Sequence, residues 1–174
     1  VSVGFSETHR ADRGFASAKG ENDTRYTQVI PGLPDEHRTR CDTELYNESV
    51  RALDGGLGRV LQALDDADLR DNTLVIWTTD HGIAFPNMKC TLRDGGIGVS
   101  MIIRGPAPFN GGKVFDSLLS HVDLYPTLCD YLGIDKPDWL EGKSFMPVVN
   151  GETDEINDQI FAEVNYHAAY EPRR

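Results

Sequence analysis

The stretch that decides the fold of this sequence is TLVIWTTDHGIAFPNMK, residues 73–89. A strand buried on both faces is predicted over residues 73–79, because its apolar run, Leu74 to Trp77, has the length and β-branched content of such a strand. Two threonines follow, and then Asp80-His81-Gly82 places a carboxylate and an imidazole where the strand gives way to a loop. Ligands bind at that end of the strands in open α/β sheets. The sequence therefore predicts an α/β fold with a candidate site directly after this strand.

Length and composition narrow the classes of protein. The chain has 174 residues, enough for one domain, and a net charge of −11 from 17 basic and 28 acidic side chains. This balance argues against a nucleic-acid or anionic-membrane partner, because phosphate backbones need basic patches. No apolar stretch approaches the roughly 18–20 residues of a membrane span. The three cysteines form no zinc-binding pattern, and no targeting signal is visible, so the compartment is not indicated.

The residues before the opening stretch show a helical pattern from Asp35 to Leu69. Asp35 follows a proline and is a candidate cap for the start of this helix. A glycine cluster at 55–58 suggests close packing against the sheet or a local bend. The apolar stripe recurs at steps of three and four residues: Leu45, Tyr46, Ser49, Leu53, Leu57, Val60, Leu61 and Leu64.

Three further elements are predicted after the opening stretch. A second buried strand covers Val99–Arg104, a short helix covers His121–Leu132 with Gly133 as its stop signal, and a third strand covers Ile160–Val164. Residues 80–97 are predicted to form a long loop, and residues 135–158 to be irregular. Helix, strand, strand, helix and strand in this order indicate part of an α/β sheet with flanking helices.

Asp80 and His81 are the candidate metal ligands. Adjacent side chains of a regular strand point to opposite faces, so these two converge only if the backbone bends, which Gly82 makes easy. A hard cation such as Ca²⁺ takes roughly six to eight oxygen ligands, so this pair is at most part of a site. The alternative is that Asp80 caps a turn and His81 is an ordinary loop histidine.

Three other polar residues, Lys89, His9 and His167, are weaker candidates, and two more residues are expected to be structural. Lys89 follows in a polar loop, where it is a solvated lysine or an anion-binding group. His9, in a Thr-His-Arg triplet, is a surface histidine or a general acid. His121 is expected to bond a backbone group, and Cys90 to pack. His167 follows the third predicted strand, where it can line the same pocket as Asp80.

Taken together, these segments resemble the sulfatase family of the alkaline-phosphatase-like superfamily. The run that ends in DHGIAFP and continues to KCTLRDGGIGV, with the closing FAEVNYH, looks closest to the branch of heparan N-sulfatase-like and bacterial arylsulfatase-like enzymes. The resemblance covers nearly the whole chain and rests on these motifs: THR at 8–10, RALDGGLGRVLQALDDADLRDNTLVIWTTDHG at 51–82, Lys89, SHVDLYPTLCDYLGI at 120–134 and EGKSF at 141–145.

The resemblance implies a metal-dependent hydrolase of sulfate esters or sulfamates. In the family a formylglycine, made from Cys or Ser in a C/S-x-P-x-R motif, attacks sulfur, and Ca²⁺, or Mg²⁺ in some members, holds the sulfate. By motif, Asp80 and His81 match metal ligands, and Lys89 matches the residue that bonds the sulfate. His9 matches the acid near the leaving group. The implied partner is a sulfated small molecule or glycan. The resemblance does not indicate an oligomeric state.

The sequence also departs from the family pattern. None of Cys41, Cys90 and Cys129 begins a C-x-P-x-R motif, and the acidic ligands expected near a sulfatase N-terminus are missing. We therefore expect residues 1–174 to be a C-terminal portion of a single sulfatase-like α/β domain that is inactive alone. Two alternatives stay open: a phosphodiesterase or phosphonate monoester hydrolase of the same superfamily, and a non-catalytic module that retains the fold.

Overall fold

A computed structural model describes residues 1–11 and 14–164. His167 therefore lies outside the described residues. The chain forms two compact units: the first comprises Val1–Arg70 and Thr79–Ser100, and the second comprises Asp71–Thr78 and the described residues from Met101 onward. Within the described chain, no helix is both long enough and apolar enough to cross a membrane.

The first unit is built on one long helix, α1, at His37–Asp66. The predicted helix is confirmed, with ends two and three residues inside the predicted bounds. Its start differs from the prediction because Glu36 is the N-terminal cap residue, and Asp35 instead pairs with Arg40 at 2.6 Å. Of the glycine cluster, only Gly56 is closely packed: a Cβ there would lie 2.6 Å from the Phe5 ring. The close contact is thus with the N-terminal segment and not with a sheet.

A short hairpin and one helical turn complete the first unit. The hairpin strands β1 (Arg10–Ala11) and β2 (Gly14–Phe15) pair antiparallel, with Arg10 opposite Phe15. The loop predicted at 80–97 contains a short helix, α2, at Asp94–Ile97. Phe15 and Phe85 are buried, and each packs on Tyr46 of α1 with ring centroids 5.4 and 5.7 Å away. These three rings join the hairpin, the loop and α1.

The second unit contains the two predicted strands, β3 at Val75–Thr78 and β4 at Met101–Arg104. They pair antiparallel, with Val75 opposite Arg104 and Thr78 opposite Met101. Both strands are shorter than predicted. They are half-buried rather than buried on both faces, and Ile102 is 63% exposed. The reason is that the described sheet has only these two strands, so each has one unpaired edge.

The three predictions for the residues after 104 have different outcomes. The helix predicted at His121–Leu132 is confirmed as a 3₁₀ turn, His121–Asp123, followed by α3, Leu124–Leu132, which ends at Gly133 with φ +65°. The region predicted to be irregular contains a helix, α4, at Met146–Asn150, with a proline in its first turn and Gly151 after its end. The prediction of a third strand is wrong, because residues 160–164 form no strand. Its apolar residues find no strand to pair with in the described chain, and β-propensity is decided by such contacts.

Buried polar groups hold the second unit together around Asp123, which is 2% exposed. Its carboxylate accepts the backbone N–H of Ser120 at 2.8 Å, the N–H of Lys143 at 2.8 Å and the side-chain amide of Asn157 at 2.9 Å. Thr127 continues the network, because its hydroxyl donates to the Asp123 carbonyl at 2.6 Å and accepts the N–H of Phe145 at 3.0 Å. The SHVDLYPT and EGKSF motifs are therefore two halves of one buried network.

His121 has a structural partner, although not the predicted one. Its Nε2 lies 2.7 Å from the hydroxyl oxygen of Thr78, the last residue of β3, and not against a backbone group. The capping box formed by Ser120 and Asp123 fixes the turn that carries this histidine. The ring therefore ties α3 to the end of the strand that leads to Asp80.

Candidate active site

The bend after Asp80 and His81 depends on the glycine that follows them. The backbone N–H of Gly82 donates to the carbonyl of Gly96 at 2.8 Å. A Cβ on residue 82 would lie 1.8 Å from the carbonyl oxygen of Gly95, far inside contact distance. The two glycines of α2 therefore pass so close to Gly82 that no other residue fits there. The predicted departure from strand geometry is confirmed.

This bend brings the two candidate metal ligands together. The Asp80 carboxylate Oδ2 lies 3.4 Å from Nε2 of His81, and the Asp80 side chain is 86% exposed. His81 Nδ1 lies 2.8 Å from the carbonyl of Gly82, which can only accept a hydrogen bond, so Nδ1 carries a proton. In the neutral ring Nε2 then has a free lone pair beside a carboxylate oxygen. One oxygen and one nitrogen donor thus face the same small space, as ligands of a single cation must.

Within the described part of the chain, no further His, Cys, Asp or Glu side chain joins this pair. No group of three or more His, Cys, Asp and Glu side chains lies close enough to hold a metal ion. The Asp80–His81 pair fits a cation as two of its ligands and does not by itself complete a coordination shell of roughly six to eight.

Lys89 lies on a folded loop that returns toward His81. The backbone N–H groups of Phe85 and Lys89 both donate to the carbonyl of Ile83, at 2.9 and 3.0 Å. Lys89 is half-buried, and its backbone lies beside residue 83, two positions after His81. The predicted polar loop is therefore compact at this point, and Lys89 belongs to the same turn as the residues that follow the ligand pair.

His9 lies on the hairpin side of the first unit. Its N–H donates to the carbonyl of Ser6 at 2.7 Å, and its own carbonyl accepts the N–H of Ala16 at 3.0 Å, so its backbone is fixed at both ends. The exposed side chain lines a cavity of about 570 Å³. Asp80, His81 and Lys89 do not line that cavity, whose described walls are mostly small or aromatic: Phe5, Ser6, His9, Ala11, Gly14, Phe15, Ala16 and Ala18.

Carboxylates around the hairpin fix it to α1. Glu48 accepts the backbone N–H groups of Lys19 and Gly20 at 2.6 and 2.9 Å, and these bonds lower the pKa of Glu48 below its ordinary value. The hydroxyl of Ser17 donates to Glu7 at 2.5 Å and lowers the pKa of that carboxyl. Glu44 is buried, and burial alone would raise its pKa. Hydrogen bonds led by that from Arg51 outweigh the burial, so the pKa is lowered.

Sequence reasoning missed Arg10, the residue next to His9. Its guanidinium makes two bonds to the carboxylate of Asp42 on α1 and a third to the carbonyl of Ala84, four positions after Asp80. The available signal was its place in the Thr8-His9-Arg10 triplet, directly after the candidate acid. Arg10 connects the His9 hairpin with the loop that follows the ligand pair.

This chain is similar to proteins of one known family. The sulfatase family model matches residues 2–134. This chain belongs to the sulfatase family. Its sulfatase relatives include an ulvan-active sulfatase of Formosa agariphila, 33% identical over 71% of this chain and 21% of that protein. They also include human N-sulphoglucosamine sulphohydrolase, 32% identical over 69% of this chain and 26% of the relative, and arylsulfatase K of Xenopus laevis, 32% identical over 82% and 26%. The chain thus spans about a fifth to a quarter of the length of these sulfatases.

Solved structures show the same fold class. The phosphonate monoester hydrolase SpPMH from Silicibacter pomeroyi aligns with 79% of this chain and 29% of its own, at a TM-score of 0.60 and 28% identity. The crystal structure of Ps i-CgsB in complex with k-i-k-neocarrahexaose aligns with 74% of this chain and 32% of its own, at a TM-score of 0.53 and 24% identity. The α/β fold predicted from the sequence, a partial alkaline-phosphatase-like sheet with flanking helices, is confirmed.

Proposed function

We propose that residues 1–174 are part of a single α/β domain of a metal-dependent sulfuric ester or sulfamate hydrolase. One observation carries the proposal: in a chain of the sulfatase family, Asp80 and His81 converge to 3.4 Å at a bend that Gly82 makes possible. Adjacent residues meet in this way only where the backbone is built to direct both side chains to one place. Membership of the family supports the sulfate-ester chemistry.

Asp80 and His81 would hold a divalent cation, for which we propose Ca²⁺ with Mg²⁺ as the alternative. The carboxylate suits either ion, and the free Nε2 lone pair of His81 adds a nitrogen donor. The remaining ligands are expected to be oxygens outside the described residues. A cation bound here supplies positive charge that stabilises negative charge on the transferring sulfuryl group.

The other candidate residues act on the two ends of the scissile bond. Lys89 is proposed to bond a sulfate oxygen, which concentrates positive charge on the group that becomes more negative in the transition state. His9 is proposed to protonate the departing oxygen or nitrogen, because an imidazolium side chain can donate a proton as a general acid. We propose His167 as a substrate contact. The formylglycine nucleophile is expected in a part of the protein that this chain does not contain.

The substrate is proposed to be a sulfated small molecule or glycan. Support comes from relatives named for their activity on ulvan and on N-sulphoglucosamine. The net charge of −11 disfavours an anion overall, and a bound cation together with Lys89 would reverse the field locally.

The test compares metal content and aryl-sulfate hydrolysis of the full-length protein with those of His81→Ala. We expect the variant to lose bound metal and to hydrolyse 4-nitrophenyl sulfate roughly 10²- to 10³-fold more slowly, the usual cost of losing one group that stabilises transition-state charge. His37→Ala, which removes an exposed histidine from the first turn of α1, is the matched control. Unchanged metal content and rate in His81→Ala would remove His81 from the site.

A second candidate is phosphonate monoester hydrolysis, which the structural similarity to SpPMH favours. The full-length protein is assayed with 4-nitrophenyl sulfate and with 4-nitrophenyl phenylphosphonate, which release the same leaving group. A larger kcat/KM for the sulfate supports the first proposal, and a larger value for the phosphonate supports the second. A non-catalytic module would bind no metal and hydrolyse neither compound.

A further inference from the structure

We propose that Arg10 is a positioning residue that clamps the His9 hairpin and the loop after Asp80-His81 onto helix α1. The inference rests on the proposed function, because the clamp acts through the roles of His9 and the ligand pair. All of the contacts that carry it lie within the first unit.

The first contact fixes Arg10 to the long helix. Nη1 and Nη2 of Arg10 donate to Oδ2 and Oδ1 of Asp42 at 2.6 and 2.9 Å. A two-pronged pair of this kind fixes the plane of the guanidinium as well as its position. The two side chains are 36% and 26% exposed, so water screens the pair only in part.

The second set of contacts joins the same guanidinium to the other two segments. Nη1 donates to the carbonyl of Ala84 at 3.4 Å. The guanidinium carbon lies 5.1 Å from the ring centre of Phe15 on the hairpin and 5.7 Å from that of Phe85 on the loop. These two rings are stacked on each other with centroids 5.4 Å apart. One charged group therefore contacts the hairpin, the loop and α1 together.

The chain positions explain why this matters for the site. Arg10 directly follows His9, and Ala84 and Phe85 follow His81 by three and four residues. A shift of the guanidinium would move the proposed acid and the ligand-bearing loop relative to each other. Misplacing a reacting group by about 1 Å can cost roughly 10²-fold in rate. Lysine keeps the charge of Arg10 but cannot bond Asp42 in two places and lie flat over both rings.

The first experiment measures kcat/KM of the full-length protein and its Arg10→Lys variant with 4-nitrophenyl sulfate and with phenyl sulfate. Phenoxide is the poorer leaving group and depends more on protonation by His9. We expect a loss of roughly ten- to a hundredfold with phenyl sulfate and a clearly smaller loss with 4-nitrophenyl sulfate. Equal losses with both substrates would contradict the clamp.

The second experiment asks whether Arg10 acts through His9. If it does, the double variant His9→Ala/Arg10→Lys loses little beyond His9→Ala with phenyl sulfate, because residues that act as a unit are not additive. If the loss of rate in the double variant equals the product of the losses in the two single variants, the inference is overturned. Arg25→Lys is the matched control, since Arg25 pairs with Asp23 at 2.7 Å and lies 5.8 Å from the Tyr26 ring. We expect that variant to keep its activity.

A third measurement separates failure of the clamp from failure of the proposed function. Hydrogen exchange in the full-length protein follows the amides of Ala16, which donates to His9, and of Lys89, which donates to Ile83. In Arg10→Lys both should exchange faster than in the unsubstituted protein and in Arg25→Lys. If no sulfate ester is hydrolysed but these amides respond, the proposed function fails and the clamp stands. Unchanged exchange at both amides would sink the clamp.

Discussion

Gly82 is the residue on which the geometry of the ligand pair depends. Glycine is common in loops because of its conformational freedom, but here the requirement is space. The carbonyl oxygen of Gly95 occupies the position that a side chain on residue 82 would need. Asp80 and His81 converge because this close approach holds the backbone after them out of strand geometry.

We predict that Gly82→Ala lowers the free energy of unfolding of the full-length protein by about 1–3 kcal/mol, as forced overpacking usually does. The backbone of α2 must move to admit the methyl group, because the contacting atoms are main-chain atoms. Thermal unfolding followed by circular dichroism measures the change, and metal content should fall with it.

Gly58→Ala is the control for this substitution and should raise the free energy of unfolding instead of lowering it. Gly58 lies inside α1, and a Cβ there meets nothing within 4 Å. Replacing a helical glycine by alanine stabilises by roughly 0.5–1 kcal/mol when no contact opposes it. Equal destabilisation by both substitutions would show that the close approach to Gly95 does not matter.

Helix α1 is the element that organises the first unit, because its side chains bind the N-terminal segment by charge. The carboxylate of Asp42 accepts hydrogen bonds from Arg10. That of Glu44 accepts hydrogen bonds from the side chains of Asn22, Thr27 and Arg51. That of Glu48 accepts hydrogen bonds from two backbone N–H groups. The pKa values of Glu44 and Glu48 are both lowered from 4.5. These carboxylates are therefore more stable as anions in the folded protein than in the unfolded chain.

Acidification should lower the stability of the packing between α1 and the N-terminal segment. Since the folded-state pKa values lie below the unfolded value of 4.5, the stabilisation is fully present well above pH 4.5 and is lost as the pH falls through the folded values. We predict that the full-length protein unfolds at a lower urea concentration at pH 3 than at pH 6. In Glu48→Gln, which cannot ionise, the difference between the two midpoints should be smaller. The exposed Glu141→Gln should leave it unchanged.

At the scale of the whole molecule, this chain corresponds to only part of the proteins that it matches. The alignments with three sulfatase relatives include 69–82% of this chain but only 21–26% of each relative. Large apolar side chains are exposed in the second unit, among them Ile102, Trp139 and Phe161 at 63, 71 and 85%.

We predict that the 174-residue chain alone does not hydrolyse 4-nitrophenyl sulfate. None of its cysteines or serines begins the C/S-x-P-x-R pattern from which the family nucleophile is made. The measurement compares nitrophenol release by this chain and by the full-length protein at equal concentration. Turnover by the chain alone would mean that a group within residues 1–174 replaces the expected nucleophile.

The local sequence pattern was enough to predict the helices and strands whose signals lie close together in the chain. The stripe of α1, the apolar runs of β3 and β4 and the Gly133 stop of α3 each depend on neighbouring residues, so periodicity and turn chemistry found them. The motifs also sufficed for the family. The missed helix α4 had comparable local signals, a proline in its first turn and a glycine after its end.

Only the tertiary structure decided which groups meet. The third strand failed because a strand needs a partner, and no local pattern supplies one. The convergence of Asp80 and His81 depends on α2 passing Gly82, and the clamp at Arg10 joins residues 32 and 74 positions apart. By itself, the sequence named the metal-ligand candidates and the family. Contacts between distant segments decided their geometry, because they arise only when the chain folds back on itself.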